Sequence, residues 1–284
     1  MLGLERYSPA TRGYVLAVIA AGLVALLLAS VPVPAELDLG RLFFWIAITW
    51  VAAALPVRLP GGVYATITTA PVLASVFDPA LPNPFAACWV AFIGTFEPRD
   101  VRRELPWFGT LFNRAEWVLS ALASWYVLEL TRPFVREGDP FGTVAQIVLV
   151  GTAFAAVNDF LTVTMASVRD RAPISRIWAL SIRNVAIGLI SQVPLGWLMA
   201  EIAAGVGQWA AILFIVPLLL ARYSFSKYTE TRDLFYGSVS ALSQAIDAKD
   251  GFTRGHADRV SRIAGAIARE MGLPEKNIEQ IELA

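Results

Sequence analysis

The N-terminal part of the chain contains an apolar run, GYVLAVIAAGLVALLLASVPV, from Gly13 to Val33, in which no residue is charged. A helix needs roughly 20 apolar residues to cross a hydrocarbon core about 30 Å thick, so this run is long enough to span a membrane. The preceding residues, MLGLERYSPATR, lack the short apolar core and small-residue cleavage site of a signal peptide. The run therefore predicts a retained membrane-spanning helix.

The composition of the whole chain agrees with this prediction. Of the 284 residues, 56% are hydrophobic and only 16% are charged, against about a quarter charged in soluble domains. The mean hydropathy is +0.58. Long apolar runs dominate as far as Leu220, whereas the chain from Arg222 onward is charged as densely as a soluble protein. This change predicts a membrane domain over residues 1–222, followed by a cytoplasmic part.

Further apolar runs predict an all-α fold, a polytopic transmembrane helix bundle. The expected number of spans is about eight, and six to eight are compatible with the lengths of the runs. The second to fourth runs are short, and the prolines between residues 71 and 84 predict that one of them is broken or re-entrant and buried by its neighbours. The runs are Gly13–Val33, Leu42–Val57, Gly62–Phe77, Pro84–Phe96, Trp107–Leu130, Val144–Val168, Ile177–Ala203 and Trp209–Arg222.

The basic residues of the loops favour an even number of spans, with both termini in the cytoplasm. Under that topology the cytoplasmic segments hold most of the arginines and lysines, whereas the outer loops hold Arg41, Arg132 and Arg136. An excess of Lys and Arg in short loops marks the cytoplasmic side of membrane proteins. The predicted location is the cytoplasmic, inner membrane of a bacterial cell.

Polar side chains inside the apolar runs form three clusters. Ionisable residues are costly in hydrocarbon and usually face the interior of a helix bundle or a cavity. Two interpretations stay open, a polar pocket that binds a ligand or signal, and hydrogen bonds that hold helices together with about 1 kcal/mol each. Two of the residues, on consecutive runs, are candidates for an ion pair, namely Asp159 and Arg183. The clusters are Asn113, Arg114 and Glu116; Asn158 and Asp159; and Arg183, Asn184 and Gln192.

Net charge and cysteine content argue against several classes of protein. The formal net charge is zero and the isoelectric point is about 6.6, which gives no support for nucleic-acid binding. With Cys88 as the one cysteine, the sequence allows no intramolecular disulfide and no Cys-based zinc site. Because Cys88 lies in an apolar run, it is predicted to be a small core residue.

The segment after the last apolar run is predicted to form a connector helix over residues 223–248. Its apolar residues follow one another mostly at steps of three and four, which indicates one face of a helix. That face needs a covering helix from this chain or from a second copy, and the expectation is a homodimer. The apolar residues are Leu234, Phe235, Val239, Leu242, Ala245 and Ile246.

The stretch KDGFTRGHADRV, Lys249 to Val260, contains the only histidine of the chain, His256. Gly251 and Gly255 are expected to break the connector helix, and His256 begins the next amphipathic helix on its apolar side. From the residues alone, His256 is either a satisfied polar residue or one ligand of a metal ion. A single imidazole does not complete a transition-metal centre, which needs several ligands.

The sequence around His256 resembles the start of HD-superfamily phosphohydrolase domains, and within them the HD-GYP branch. The similarity lies in the motifs AIDAKD, FT and GHADRV, which follow one another without gaps between Ala245 and Val260. More loosely, LFNRAEWVLS and LLLARYSFSKYTETR resemble the multi-span region that precedes such domains. The resemblance implies that residues 249–284 are the N-terminal part of an HD domain.

The resemblance also implies an activity. HD-GYP domains are helical, bind divalent transition metals such as iron or manganese, and hydrolyse cyclic di-GMP with a metal-activated water. His256 aligns with the first metal-ligand histidine, whereas Phe252 stands where some members have an additional glutamate ligand. The His-Asp pair and the later histidines of the family do not occur in this sequence. The chain is therefore expected to be an inactive, truncated fragment of a longer enzyme.

Two other functions stay open. One is an HD phosphohydrolase that acts on another nucleotide. The other is a membrane transporter or carrier with a regulatory tail, although the sequence has no convincing internal repeat of the kind that many transporters carry. The expected partners are the lipid bilayer, a second copy of the chain and, for the longer enzyme, a cyclic di-nucleotide, with no nucleic acid.

Overall fold

A computed structural model describes residues 4–31, 33–55, 57–58, 64–65, 67–81, 84–97, 100, 106–136, 138–249, 256–271, 278 and 281–282. In this part of the chain the regular structure is helical, apart from two strands of two residues, β1 (Val57–Arg58) and β2 (Tyr64–Ala65). The predicted all-α class is confirmed. The chain divides into two compact units, Met1–Val57 with Tyr64–Leu220, and Arg58–Val63 with Ala221–Ala284.

The first unit is built from long helices and two short ones. The helices follow the predicted apolar runs closely in the N-terminal and middle parts of the chain, where the run Trp107–Leu130 corresponds to a helix that ends at Thr131. Their bounds are Pro9–Ala29 (α1), Leu39–Ala53 (α2), Thr69–Phe77 (α3), Pro84–Trp89 (α4), Trp107–Thr131 (α5), Pro140–Asp170 (α6) and Ile174–Gly205 (α7).

Local capping explains where several of these helices begin. Ser8 caps α1 and Asp139 caps α6, each by accepting a hydrogen bond from a backbone N–H of the first turn. Pro9 and Pro140 follow at the first helical position, where the missing N–H leaves no intrahelical bond unmade. At its other end α6 stops at Arg171, whose φ of 53° is the left-handed conformation that ends many helices.

The two short helices differ from the predicted spans in length but not in burial. Helix α3 has nine residues and α4 has six, too few for a full crossing of about 30 Å at 1.5 Å per residue. Ala70, Leu73, Ala86 and Cys88 nevertheless have no exposed surface. The prolines that were expected to interrupt this region separate α3 from α4, since proline lacks the N–H that continues a helix.

Helix α4 continues into a π-helical turn, Val90–Gly94. This wider turn packs against α2 and α5, and Val90 and Ala91 are fully buried. Such turns are rare and occur frequently at functional sites in proteins. The turn is followed by Thr95 and Phe96, which take part in the polar site described below.

Glycines allow the long helices of the first unit to approach closely. A Cβ at Gly22 of α1 would lie 2.5 Å from the Cα of Ala115 on α5. A Cβ at Gly196 of α7 would lie 2.6 Å from the carbonyl oxygen of Ala70 on α3. Such contacts between a small residue and a neighbouring backbone are typical of packed helices in membrane proteins.

Two of the described helices are long and apolar enough to cross a bilayer, α1 and α6. Helix α2 and the segment Pro84–Gly94 are apolar but shorter. Several side chains of α7 lie outside the described residues. The number of spans beyond these two stays a prediction.

One helix, α8, runs from Ile215 to Lys249 without a break. It includes the residues of the predicted connector, 223–248, and it begins inside the last apolar run, after a 3-10 helix, Gln208–Phe214. The second unit contains helix α9 (His256–Glu270), in which Ala268 is buried. The Ser261 hydroxyl of this helix donates a hydrogen bond to the Glu282 carbonyl oxygen at 2.5 Å. An ion pair between Arg269 and Glu282, at 2.6 Å, joins the same segments.

Candidate functional site

Arg114 is the centre of a buried polar cluster in the first unit. Its side chain is only 2% exposed, and it extends from the second turn of α5. The guanidinium donates to the Thr95 hydroxyl and to the Asp100 carboxylate, and it lies 4.5 Å above the centre of the Phe96 ring. The charge of Arg114 is therefore balanced by a carboxylate and covered by an aromatic ring.

Asp100 is held from several sides. Its carboxylate accepts hydrogen bonds from the Thr110 hydroxyl at 2.8 Å and from the Glu97 N–H at 2.9 Å, in addition to Arg114. Its side chain is also only 2% exposed. Asp100 and Glu97 lie in the segment after the π-helical turn, whereas Thr110 and Arg114 lie on α5. Asp100 therefore holds this segment against the start of α5.

Arg114 was predicted from the sequence, whereas Asp100 was not. Asp100 lies between two apolar runs, where an acidic residue is expected in a solvated loop. A signal was nevertheless present, because an arginine within an apolar run needs a partner. The nearest carboxylates before it in sequence are Glu97, Asp100 and Glu104.

Glu116 forms a second polar contact, between α5 and α6. It is 6% exposed, and its Oε1 lies 2.5 Å from the hydroxyl of Thr162. That hydroxyl is also 3.0 Å from the carbonyl oxygen of Asn158, one turn earlier on α6. Asp159 is the next residue after Asn158 on α6. The structure thus brings the Glu116 cluster together with the Asn158–Asp159 cluster.

The remaining predicted polar residues have different outcomes. Asn113 is half-buried on α5. Arg183 and Asn184 lie within α7, but their side chains are outside the described residues. The predicted ion pair between Asp159 and Arg183 therefore stays a prediction.

A third polar cluster was not found from the sequence. The carboxylate of Asp78, which follows α3, accepts from Arg41 Nε at 2.5 Å and from Trp45 Nε1 at 2.6 Å. It also accepts from the Ala80 N–H at 3.0 Å, and its side chain is fully buried. This carboxylate ties the turn between α3 and α4 to the first turns of α2.

His256, the predicted metal ligand, is the first residue of α9, and its side chain is outside the described residues. Within the described part of the chain, no three His, Cys, Asp or Glu side chains are grouped as metal ligands would be. One imidazole supplies one ligand, so the donor set described here does not fit a transition-metal centre. The metal site implied by the resemblance remains a prediction about a longer protein.

Comparison of the chain with protein-family models, with curated proteins and with solved structures finds no match.

Proposed function

We propose that the chain is a membrane-embedded sensor and anchor that leads, through α8, into the beginning of an HD-type phosphohydrolase domain. The observation that carries this proposal is the continuous sequence AIDAKDGFTRGHADRV, residues 245–260, which begins at the end of a helix that starts in an apolar segment. In this proposal, hydrolysis of cyclic di-GMP belongs to a longer protein of which these residues are the N-terminal part.

The membrane part of the proposal is supported by the two faces of α1. One face is buried, including Val15, Ile19 and Leu26. The opposite face is equally apolar but exposed, and its large side chains have 37–72% of their surface accessible. A helix that is apolar on all sides belongs in a large core or in lipid. The exposed residues on that face are Leu16, Leu23, Val24, Leu27 and Leu28.

Helix α6 supports the same environment. It has 31 residues, which corresponds to about 46 Å at 1.5 Å per residue and exceeds the hydrocarbon thickness. Phe141, Val144, Val148 and Phe160 are each more than half exposed. The short, buried helices α3 and α4 suit a bilayer as well, because interrupted helices at membrane depth occur where neighbouring helices cover them.

We expect the two ends of α6 to lie on opposite sides of the membrane. Arg136→Cys, before α6, should react with a membrane-impermeant thiol reagent in intact spheroplasts, whereas Ser175→Cys, after α6, should react only after permeabilisation. Both positions are exposed, and the native Cys88 is fully buried and serves as the unreactive control. Labelling of Ser175→Cys from outside, or release of the protein by alkaline carbonate, would contradict the proposed topology.

The enzymatic part of the proposal is supported by the positions of the HD-like sequence motifs in the structure. Helix α8 ends at Lys249 and α9 begins at His256. The motif AIDAKD therefore lies at the end of α8, and the motif GHADRV lies at the start of α9. We propose His256 as one ligand of a divalent transition metal, such as iron or manganese, in the longer protein, together with histidines and aspartates supplied by its remaining sequence.

We expect the longer protein to hydrolyse cyclic di-GMP and His256→Ala to reduce the rate by at least about 100-fold, since even outer partners of metal ligands contribute 10- to 100-fold. Glu270→Gln, an exposed change at the end of α9, is the control and should retain activity and metal. Metal content, measured by elemental analysis, should fall in the His256 variant. Hydrolysis of cyclic di-AMP in place of cyclic di-GMP would favour the other nucleotide, and unchanged activity and metal content would refute the role of His256.

The proposed sensor acts through α8. A signal that binds the membrane part can change the activity only by its different affinity for two states of the protein. A long helix without a break transmits a rotation or a shift along its axis, whereas a flexible linker does not. The polar contacts of Arg114 and Glu116 are buried, so they are proposed as structural contacts that hold the sensor together, rather than as its signal-binding site.

A further inference from the structure

The cytoplasmic part of α8 carries a seven-residue repeat. Starting at Ala221, the residues step alternately by four and three, and this pattern continues to Ile246. Steps of four and three are those of the a and d positions of a coiled coil, which form the seam between two supercoiled helices. The d residues are Ala221, Tyr228, Phe235 and Leu242, and the a residues are Phe225, Arg232, Val239 and Ile246.

The structure leaves three large, described side chains of this seam exposed. Tyr228 is 65% exposed, Phe235 is 57% exposed and Leu242 is 64% exposed. These three residues occupy successive d positions on one helix of continuous hydrogen bonding. A seven-residue repeat that is mostly apolar is the pattern that a left-handed supercoil with another helix buries.

Between Lys227 and Ile246, every charged residue of α8 except Arg232 lies away from the seam. Lys227 and Glu230 form an ion pair at 2.7 Å on the outer face, within the helix itself. Between Tyr228 and Ile246 the positions that flank the seam are uncharged: Thr229, Thr231, Tyr236, Ser238, Ser243 and Ala245. Flanking charges select partners in coiled coils, and like charges there would repel an identical helix. Their absence makes this seam compatible with a second copy of itself.

We propose that α8 forms a parallel, in-register, two-stranded coiled coil with α8 of a second copy of this chain. The parallel direction rests on the proposed membrane function, because two copies inserted the same way send their α8 helices out on the same side. The small flanking residues Ser238 and Ala245 let the helices approach each other, and the two seams then bury Phe235, Val239 and Leu242 against their counterparts.

Arg232 is the one charged residue of the seam between Tyr228 and Ile246. Its guanidinium lies 5.3 Å from the centre of the Tyr236 ring, one turn later on the same helix. A polar residue at a single a position lowers the stability of a coiled coil and fixes its register and oligomeric state. Arg232→Leu should therefore tighten the dimer, with a dissociation constant at least about ten-fold lower.

Single cysteines test the seam in membranes that contain the full chain. Phe235→Cys, Val239→Cys and Leu242→Cys should form disulfide-linked dimers on mild oxidation. Leu234→Cys is the matched control, because Leu234 is apolar and 66% exposed but lies about 100° around the helix from Phe235. It should cross-link at least ten-fold more slowly, as should Gly237→Cys. The unmodified chain, with its buried Cys88, gives the baseline.

The direction of the helices is tested by mixing two variants. Tyr228→Cys and Leu242→Cys lie 14 residues apart, about 21 Å along the helix, so a parallel dimer does not join them, whereas an antiparallel one centred on Phe235 does. The proposal would be overturned if no dimer formed, or if Leu234→Cys and Phe235→Cys cross-linked equally. A cross-link between Tyr228→Cys and Leu242→Cys would also overturn it, as would an unchanged dissociation constant in Arg232→Leu. None of these measurements depends on hydrolysis or on thiol labelling across the membrane, so the dimer and the proposed function can fail separately.

Discussion

Replacing Arg114 with methionine is expected to lower the free energy of unfolding of the first unit by about 3–5 kcal/mol, the range seen when one partner of a buried ion pair is removed. Methionine keeps much of the length of the side chain, so the loss of packing is small. Asp100 then remains 2% exposed without its counter-charge, and Thr95 loses the donor that its hydroxyl binds. The measurement is reversible unfolding in mixed detergent micelles.

Two further variants separate this effect from a general loss of packing. Arg132→Met removes an exposed ion pair with Glu129, whose side chains are 53% and 31% exposed, and should change stability by less than about 1 kcal/mol. Asp100→Asn combined with Arg114→Met removes both charges and should recover part of the loss. If Arg114→Met does not fold, recovery by the double variant still decides the question. Equal losses in the Arg114 and Arg132 variants would refute a buried ion pair.

The second large effect is expected at the crossing of α1 and α5. Gly22→Ala should lower the free energy of unfolding by about 1–3 kcal/mol, the usual cost of overpacking. The reason is that the added Cβ would meet the backbone of Ala115, with the Cα at 2.5 Å and the carbonyl oxygen at 2.9 Å. Backbone atoms on a packed helix can move only if the two helices separate.

Gly13→Ala on the same helix is the control. A Cβ at Gly13 has no atom within 4 Å, and alanine in a helix is about 1 kcal/mol more favourable than glycine. The two glycine-to-alanine changes should therefore have opposite signs in the same unfolding measurement. A stabilising effect at Gly22 would show that α1 and α5 do not approach each other as closely as described.

The sequence predicted the helices of the first unit where apolar runs were long. The run Trp107–Leu130 became α5 almost residue for residue. It predicted less well between residues 57 and 96, where strands β1 and β2 precede α3 and the π-helical turn follows α4. Apolar composition alone does not distinguish a spanning helix from two short buried ones, because both need apolar surfaces that neighbouring helices cover.

The polar site was predictable in part. Arg114, Glu116 and Asp159 were identified because charged residues in apolar runs are rare, but their partners were not. Asp100 and Asp78 lie in connecting segments, so no periodicity points to them. The pairing is a property of the tertiary structure, since Arg114 and Thr95 come together only through the packing of α5 on the π-helical turn.

The π-helical turn Val90–Gly94 also sets the direction in which Thr95 and Phe96 leave the helix. A turn of this kind accommodates one more residue than an α-helical turn, and one residue corresponds to a rotation of about 100° around the axis. Thr95 and Phe96 reach Arg114 in this phase. The extra residue thus rotates the backbone, so that the Thr95 hydroxyl and the Phe96 ring face the guanidinium of Arg114. In an unbroken α-helix the same two side chains would point in another direction.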